Sequence, residues 1–165
     1  MTCPAIAYVG LGGNIGDAVG TVHAALDALD ELPDAQLLRA SQLYRTPAWG
    51  RHDQPSFINA AAALETHLPA RDLLDALLGV ERAFGRVREA EPARWGPRIL
   101  DLDLLLLGAA VIDEPGLRVP HPYLHQRAFV LVPLLEIAPD LRIPGHGSAR
   151  EALSAIASDG IQALP

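Results

Sequence analysis

Asp101 and Asp103 stand two residues apart in the run Arg94 to Gly108, RWGPRILDLDLLLLG. In an extended strand the side chains alternate, which places Leu100, Leu102, Leu104 and Leu106 on one face and Ile99, Asp101, Asp103, Leu105 and Leu107 on the other. Both faces are mostly apolar, so an interior strand is expected. The two Cα atoms then lie roughly 6.5 to 7 Å apart. Carboxylates at that separation, partly desolvated by leucines, repel each other and call for cations or protons. Their hard oxygens suit Mg2+, which keeps several waters and commonly joins one or two carboxylates to substrate phosphates. An Asp-x-Asp pair whose acids simply reach solvent at a strand end is the ordinary case, and what distinguishes this pair is its flank. Arg98 lies three residues before Asp101, and Arg82, Arg86, Arg88 and Arg94 precede it.

All 13 basic residues are arginine, and five of them fall between Arg82 and Arg98. With no lysine there is no P-loop, whose lysine reaches the phosphates. Guanidinium forks match phosphate oxygens in bidentate geometry, so this cluster beside paired acids points to a polyphosphate bridged to metal. The alternative is a solvated helix end and loop.

The elements that must position these groups follow from the rest of the chain. Its 165 residues are the length of one domain, taken as residues 1–165, and half are hydrophobic, enough for one substantial core. No apolar run approaches a membrane span, and MTCPAIAYVG lacks the features of a secretion signal. Cytoplasmic residence, no membrane partner and a monomer are the expectations. Cys3 is the single cysteine, so no internal disulfide is expected. A net charge of -7 argues against a nucleic-acid partner, which would call for a broad basic face.

Ile6 to Gly10 reads as a first strand, and LGGNIGD as a tight turn with Asn14 or Asp17 near a helix start. That segment misses the GxGxxG fingerprint because Ile15 stands where the third glycine belongs. A helix to about Leu32 carries Val19, Val22, Leu26 and Leu29 on one stripe and ends at Pro33. Gln36 to Arg45 is a second strand, and TPAWGRHDQPS a long loop. Phe57 to Thr66 is a third strand, with Ile58, Ala60, Ala62 and Leu64 toward helices. Phe57 and Asn59 share its other face, an aromatic plane beside an amide that suits a flat polar heterocycle, though ordinary strands often carry such a pair.

Pro69 opens a second helix whose stripe is Leu73, Leu74, Leu77, Val80 and Phe84, with Gly85 as its stop. The stretch RVREAEPARWGPR, long and polar, reads as a mobile lid. Trp95 within it would either cover a ligand or anchor the loop. His121 is held between two prolines, with Arg127 six residues on. Phe129 to Ala138 is apolar and interrupted by Pro133, and Ser148 with Glu151 forms a capping box for a last helix. The order strand, helix, strand, strand, helix, strand predicts an α+β fold: a ferredoxin-like βαββαβ antiparallel sheet covered by helices on one face, plus a C-terminal appendage. Its first and third strands would be central.

Taken together, YRTPAWG, DQPSFINAA, GRVR, RWGPRILDLDLLLLG and VPHPYLHQRAFVLVPLLEIAP resemble the 6-hydroxymethyl-7,8-dihydropterin pyrophosphokinases of folate biosynthesis, in order from about Ala7 to Leu141. The resemblance implies transfer of the terminal diphosphate of ATP to the hydroxymethyl group of the pterin, releasing AMP. On the matching positions, Asp101 and Asp103 would hold two Mg2+ ions. Arg86, Arg88, Arg98, His121 and Arg127 would bind the triphosphate, with Arg86 and Arg98 acting on the transferring group. Glu81 and Trp95 match positions of nucleotide binding and lid closure. Thr46, Pro47, Trp49, Phe57, Asn59 and Phe129 match the pterin pocket, the two phenylalanines sandwiching the ring.

Attack at the β-phosphorus builds charge between the α and β phosphates, where fixed arginines and metals stabilise it without reorganising. The sequence offers no convincing general base, which is consistent with a substrate hydroxyl activated by metal. Three departures from the family pattern stand out. The segment EAEPA (Glu89–Ala93) lengthens the interval from Gly85 to Trp95, Glu89 replaces a frequent basic residue, and Trp49 replaces a common aliphatic one. The lid and the role of Arg88 are what these changes touch. Two other readings compete: a two-metal nucleotidyl- or phosphotransferase acting on another small acceptor, and a non-catalytic ferredoxin-like ligand-binding module indifferent to Mg2+.

Overall fold

A computed structural model describes residues 3–47, 55–85 and 99–164. β1 (Ala5–Gly13) buries Ala7, Val9 and Leu11 on one face and turns Ile6 and Tyr8 to the other. It continues three residues past the expected strand, so Gly12 and Gly13 are extended backbone and the turn falls at residues 14–17. Asp17 caps α1 (Ala18–Asp30), its carboxylate accepting the N–H of Gly20 at 3.0 Å.

The expected second strand is two strands, β2 (Ala35–Ala40) and β3 (Tyr44–Thr46). Ser41 accounts for the break. Its N–H donates to the Ala61 carbonyl at 2.8 Å while its hydroxyl accepts the Ala61 N–H at 2.9 Å, so a side chain takes over the ladder where the strand bends. Both pieces pair antiparallel with β4 (Phe57–Thr66). α2 (Ala70–Ala83) starts just after Pro69, which is the N-cap rather than the first helical residue, and stops before Gly85 in its left-handed conformation.

β5 (Asp101–Leu107) corrects two expectations. It is an edge strand, paired with β1 alone among the described strands. Its faces are nonetheless apolar, because helices cover the sheet on both sides and the segment after β6 (Ile112–Glu114) and β7 (Leu117–Val119) lies along its outer edge, where His121 N–H donates to the Leu105 carbonyl at 2.9 Å. Nor does β5 alternate to its end. The register slips between Tyr8 and Val9, leaving Leu105 as an extra residue. Leu106 therefore joins Leu105 on the second face and Leu107 returns to the first, which a strict period of two cannot anticipate.

After a 3-10 turn at Leu124–Gln126 come α3 (Ala128–Ile137), the hairpin of β8 (Arg142–Ile143) and β9 (Gly147–Ser148), α4 (Ala149–Ser154) and β10 (Gln162–Ala163). The sheet order is β10-β3-β4-β1-β5 with β2 also beside β4, so β1 and β4 are central as expected. α1 and α2 cover one face through Val22, Leu29, Leu73 and Leu77, against Ile58, Ala60, Ala62 and Leu64. The other face, expected bare, is partly covered by α3 through Leu131, Leu134 and Ile137, packed on Ala61, Ala63, Leu105 and Leu106. Pro133 inside α3 forfeits a hydrogen bond to the Phe129 carbonyl, and burial of its neighbours offsets the loss.

Candidate functional site

Among the described residues, the part of the second face beyond α3 is a strip with few side chains. On β1 it presents Gly10 and Gly12. Gly12 is paired with Asn59 of β4 on one side and Asp101 of β5 on the other, while Gly10 is paired in the same way with Ala61 and Asp103. Residues directly opposite in antiparallel strands point to the same face, so Asn59, Asp101 and Asp103 project together over the glycines. Two strand spacings, roughly 9.5 to 10 Å, separate the Asn59 and Asp101 backbones.

Asp101 and Asp103 are both half-buried. Between them Leu102 turns into the first core, and its N–H donates to the Glu81 carboxylate at 2.7 Å. Glu81 is only 1 % exposed, so it reaches the site through the β5 backbone. The acid pair fits a divalent cation: hard oxygens side by side at the open end of a buried strand, with the remaining ligand positions left to water and phosphate oxygens. Among the described residues no third carboxylate, histidine or cysteine joins them.

On the β4 side, Thr46 Oγ1 donates to Asn59 Oδ1 at 2.7 Å, with both residues buried. This bond orients the amide and leaves its NH2 group as the donor for whatever lies on the strip. Phe57, half-buried, is two residues from Asn59 on the same face and opposite Thr46. Pro47 is exposed at the end of β3. Two residues outside the expected set hold this side in place. Asn14, 3 % exposed, donates from Nδ2 to the Pro55 carbonyl at 3.1 Å, joining the end of β1 to the start of β4. Glu136 of α3 accepts the Gln42 N–H at 3.0 Å and the Tyr44 hydroxyl at 2.5 Å, tying β3 to the helix. Burial, and next the bond to Glu136, push the Tyr44 hydroxyl up to about 12. A lone Glu in an apolar helix was the only sequence signal for this clamp.

Arg127 precedes α3 with its guanidinium 5.1 Å from the Tyr123 ring centre and 5.8 Å from that of Phe129, which is half-buried in the first turn. His121 is half-buried beside them. Burial, and secondarily the positive Arg127, lower its pKa to about 4, so the ring is neutral at neutral pH. Its Nδ1 accepts the Tyr123 N–H at 3.2 Å, which leaves Nε2 carrying the proton as a donor. A cleft of about 420 Å³ opens between α2, β5 and the β7 segment, lined by Leu74, Leu78, Leu102, Leu104 and Leu117, with Asp103 and His121 at its border.

The structure thus places Thr46, Phe57, Asn59, Asp101 and Asp103 on one face of the sheet, with Glu81 behind Leu102, Pro47 exposed at the end of β3, and His121, Arg127 and Phe129 together in the segment that leads into α3. Trp49, Arg86, Arg88, Trp95 and Arg98, with the EAEPA segment, lie outside the described residues.

Residues 8–139 match the family described as 7,8-dihydro-6-hydroxymethylpterin-pyrophosphokinase. The chain is 48% identical over 158 residues to the 2-amino-4-hydroxy-6-hydroxymethyldihydropteridine pyrophosphokinase of Pseudomonas aeruginosa, covering 96% of both chains. To the protein of that same name in Methylorubrum extorquens it is 46% identical over 156 residues, covering 94% of this chain and 96% of the relative. In fold it is similar to a Plasmodium falciparum HPPK-DHPS crystal structure, with a TM-score of 0.73 at 14% identity over 93% of this chain, and it spans 44% of that longer chain.

Proposed function

The chain belongs to the 7,8-dihydro-6-hydroxymethylpterin-pyrophosphokinase family, and we infer from that membership that it is an ATP-dependent diphosphotransferase of folate biosynthesis. It transfers the diphosphate of ATP to the hydroxymethyl group of 6-hydroxymethyl-7,8-dihydropterin and releases AMP. The substrates are small molecules.

Each side of the strip takes one substrate. The pterin lies at the β4 side, stacked between Phe57 and Phe129, with the NH2 of Asn59 donating to an acceptor on its polar edge and Thr46, Pro47 and Trp49 completing the pocket. The nucleotide lies at the β5 side. Leucine walls and the outward backbone of an edge strand suit a purine, which needs apolar faces and hydrogen bonds at its rim. The triphosphate then extends past His121 and Arg127, with Arg86, Arg88 and Arg98 adding charge-assisted bonds.

Asp101 and Asp103 are the residues that would hold two Mg2+ ions, which would supply charge neutralisation at the phosphate oxygens. The residues of the chain do the rest. The Asn59 amide fixes the ring so that the hydroxymethyl oxygen is in line with the β-phosphorus, the bond to AMP breaks as the new P–O bond forms, the hydroxyl proton passes to solvent, and the arginines and His121 Nε2–H stabilise the charge that builds on the bridging oxygen. Glu81 contributes by fixing the backbone between the two aspartates, and Trp95 by covering the nucleotide.

The observation that carries this reading is the row Asn59, Gly12, Asp101 across three strands, an oriented amide and a carboxylate on the same face of the sheet. One domain over residues 1–165 and a cytoplasmic monomer accompany it; among the described residues no helix is long and apolar enough to cross a membrane. Incubation with ATP, Mg2+ and 6-hydroxymethyl-7,8-dihydropterin should yield AMP and the diphosphorylated pterin, and EDTA should stop it. Release of pyrophosphate in place of AMP would instead identify a nucleotidyltransferase.

A further inference from the structure

Gly12 is not a glycine for the usual reason. It lies inside β1, outside the set of residues with positive φ, so its backbone is one that any residue adopts. What excludes a side chain is a neighbour: a Cβ at residue 12 would stand 2.7 Å from Asn59 Nδ2. That is far inside van der Waals contact, so the amide would have to move. At Gly10, on the same face of the same strand, the nearest atom that a Cβ would meet belongs to the Leu105 side chain, at an ordinary 3.5 Å.

Asn59 cannot yield freely. Its Oδ1 accepts the Thr46 hydroxyl at 2.7 Å, and both residues are buried, at 8 % and 2 % exposure. Rotating the amide away from residue 12 breaks that bond and leaves a buried hydroxyl without its acceptor. The carboxamide is therefore held by two constraints, a hydrogen bond on one side and a bare backbone on the other.

We propose that Gly12 is a positioning residue for the acceptor: the missing side chain lets the Asn59 carboxamide lie across the central strand with its NH2 aimed along the strip toward the pterin. The proposal rests on the pyrophosphokinase reading, and it adds a residue that makes no hydrogen bond to substrate through a side chain of its own. It assigns Gly12 to the acceptor half of the reaction, although the residue is paired equally with Asp101 on the nucleotide half.

The test is steady-state kinetics of the full chain, wild type, Gly12→Ala, Thr46→Val and the double variant, with 6-hydroxymethyl-7,8-dihydropterin and ATP varied in turn. Loss of one oriented hydrogen bond corresponds to roughly a tenfold change. Gly12→Ala should therefore raise the acceptor KM about tenfold and leave the ATP KM within about twofold, with a modest fall in the melting temperature at most, since the better fit of alanine to a strand offsets part of the lost Thr46–Asn59 bond. Thr46→Val frees the amide by the other route and should also raise the acceptor KM selectively. Added on top of it, Gly12→Ala should cost much less than it does alone, because the two act on one group.

Additive effects, an unchanged acceptor KM, or equal rises in both KM values with a lowered melting temperature would each overturn the proposal. If Gly12→Ala does not fold, Thr46→Val decides alone, and an unchanged acceptor KM in it has the same meaning. A wild-type chain that forms no AMP from the two substrates defeats the pyrophosphokinase reading itself, whereas an active wild type with an indifferent Gly12→Ala defeats only this inference.

Discussion

The Glu81 carboxylate, buried in α2, accepts the backbone N–H of Leu102, the residue that separates Asp101 from Asp103. A helix beneath the sheet thus fixes the spacing and direction of two carboxylates on its other face. Glu81→Ala leaves the Leu102 N–H without its acceptor and should cost about 1–3 kcal/mol of stability, read by urea unfolding. Glu81→Gln keeps an acceptor oxygen and should cost distinctly less. Equal losses in the two variants would mean that the carboxylate acts by its charge and not by this bond.

Asp101→Ala and Asp103→Ala should each lower the rate of AMP formation by roughly three orders of magnitude or more, because each would remove half of the proposed divalent-cation cradle. Both variants should keep the wild-type circular dichroism spectrum, since the two side chains are half-buried at the end of β5 and not part of its core. Activity close to wild type in either variant would refute the metal assignment.

Phe57→Ala should weaken pterin binding by about tenfold or more while ATP binding stays within about twofold, as expected when one stacking plane is lost from a single subsite. Isothermal titration with each substrate separates the two. Parallel losses would indicate a disturbed β4 and not an emptied pocket.

His121 should make the protein acid-sensitive. Its pKa falls from 6.5 to about 4 on folding, chiefly by burial and then by Arg127, so between those values the unfolded chain binds the extra proton. Stability is lost as pH falls from about 6.5 toward 4. His121→Gln removes this contribution, so the stability difference between wild type and variant should narrow or reverse over that window. A difference that is flat with pH would contradict the buried neutral ring.

Tyr44 should act at the other end of the scale. With its hydroxyl pushed up to about 12 by burial and Glu136, the folded chain keeps a proton that the unfolded chain loses near 10, so stability falls as pH rises from about 10 to 12. Tyr44→Phe should abolish that slope and, at neutral pH, cost about 0.5–1.5 kcal/mol for the lost bond to Glu136. An unchanged alkaline profile in the variant would show that the bond between β3 and α3 does not persist in solution.

Residue types and short-range periodicity settled much of this protein in advance. The acids of β5, the aromatic and amide of β4, the helical stripes facing the sheet and the βαββαβ order are all local properties, set by which side chains alternate or recur every three to four residues. They singled out Asp101, Asp103, Phe57 and Asn59 as candidates before any fold was known.

What the chain order could not express is pairing between distant segments. That β5 is an edge strand, that a bulge at Leu105 reverses Leu106 and Leu107, that Ser41 breaks one strand into two, and that α3 closes half of a face expected to be open depend on contacts between residues far apart in sequence. The contacts of Glu81 and Gly12 belong here too. A buried glutamate and a strand glycine carry no local signal, because what defines them is a backbone N–H 21 residues away and an amide across the sheet. Local periodicity fixes which face a side chain takes, and only the assembled sheet fixes which neighbour it meets there.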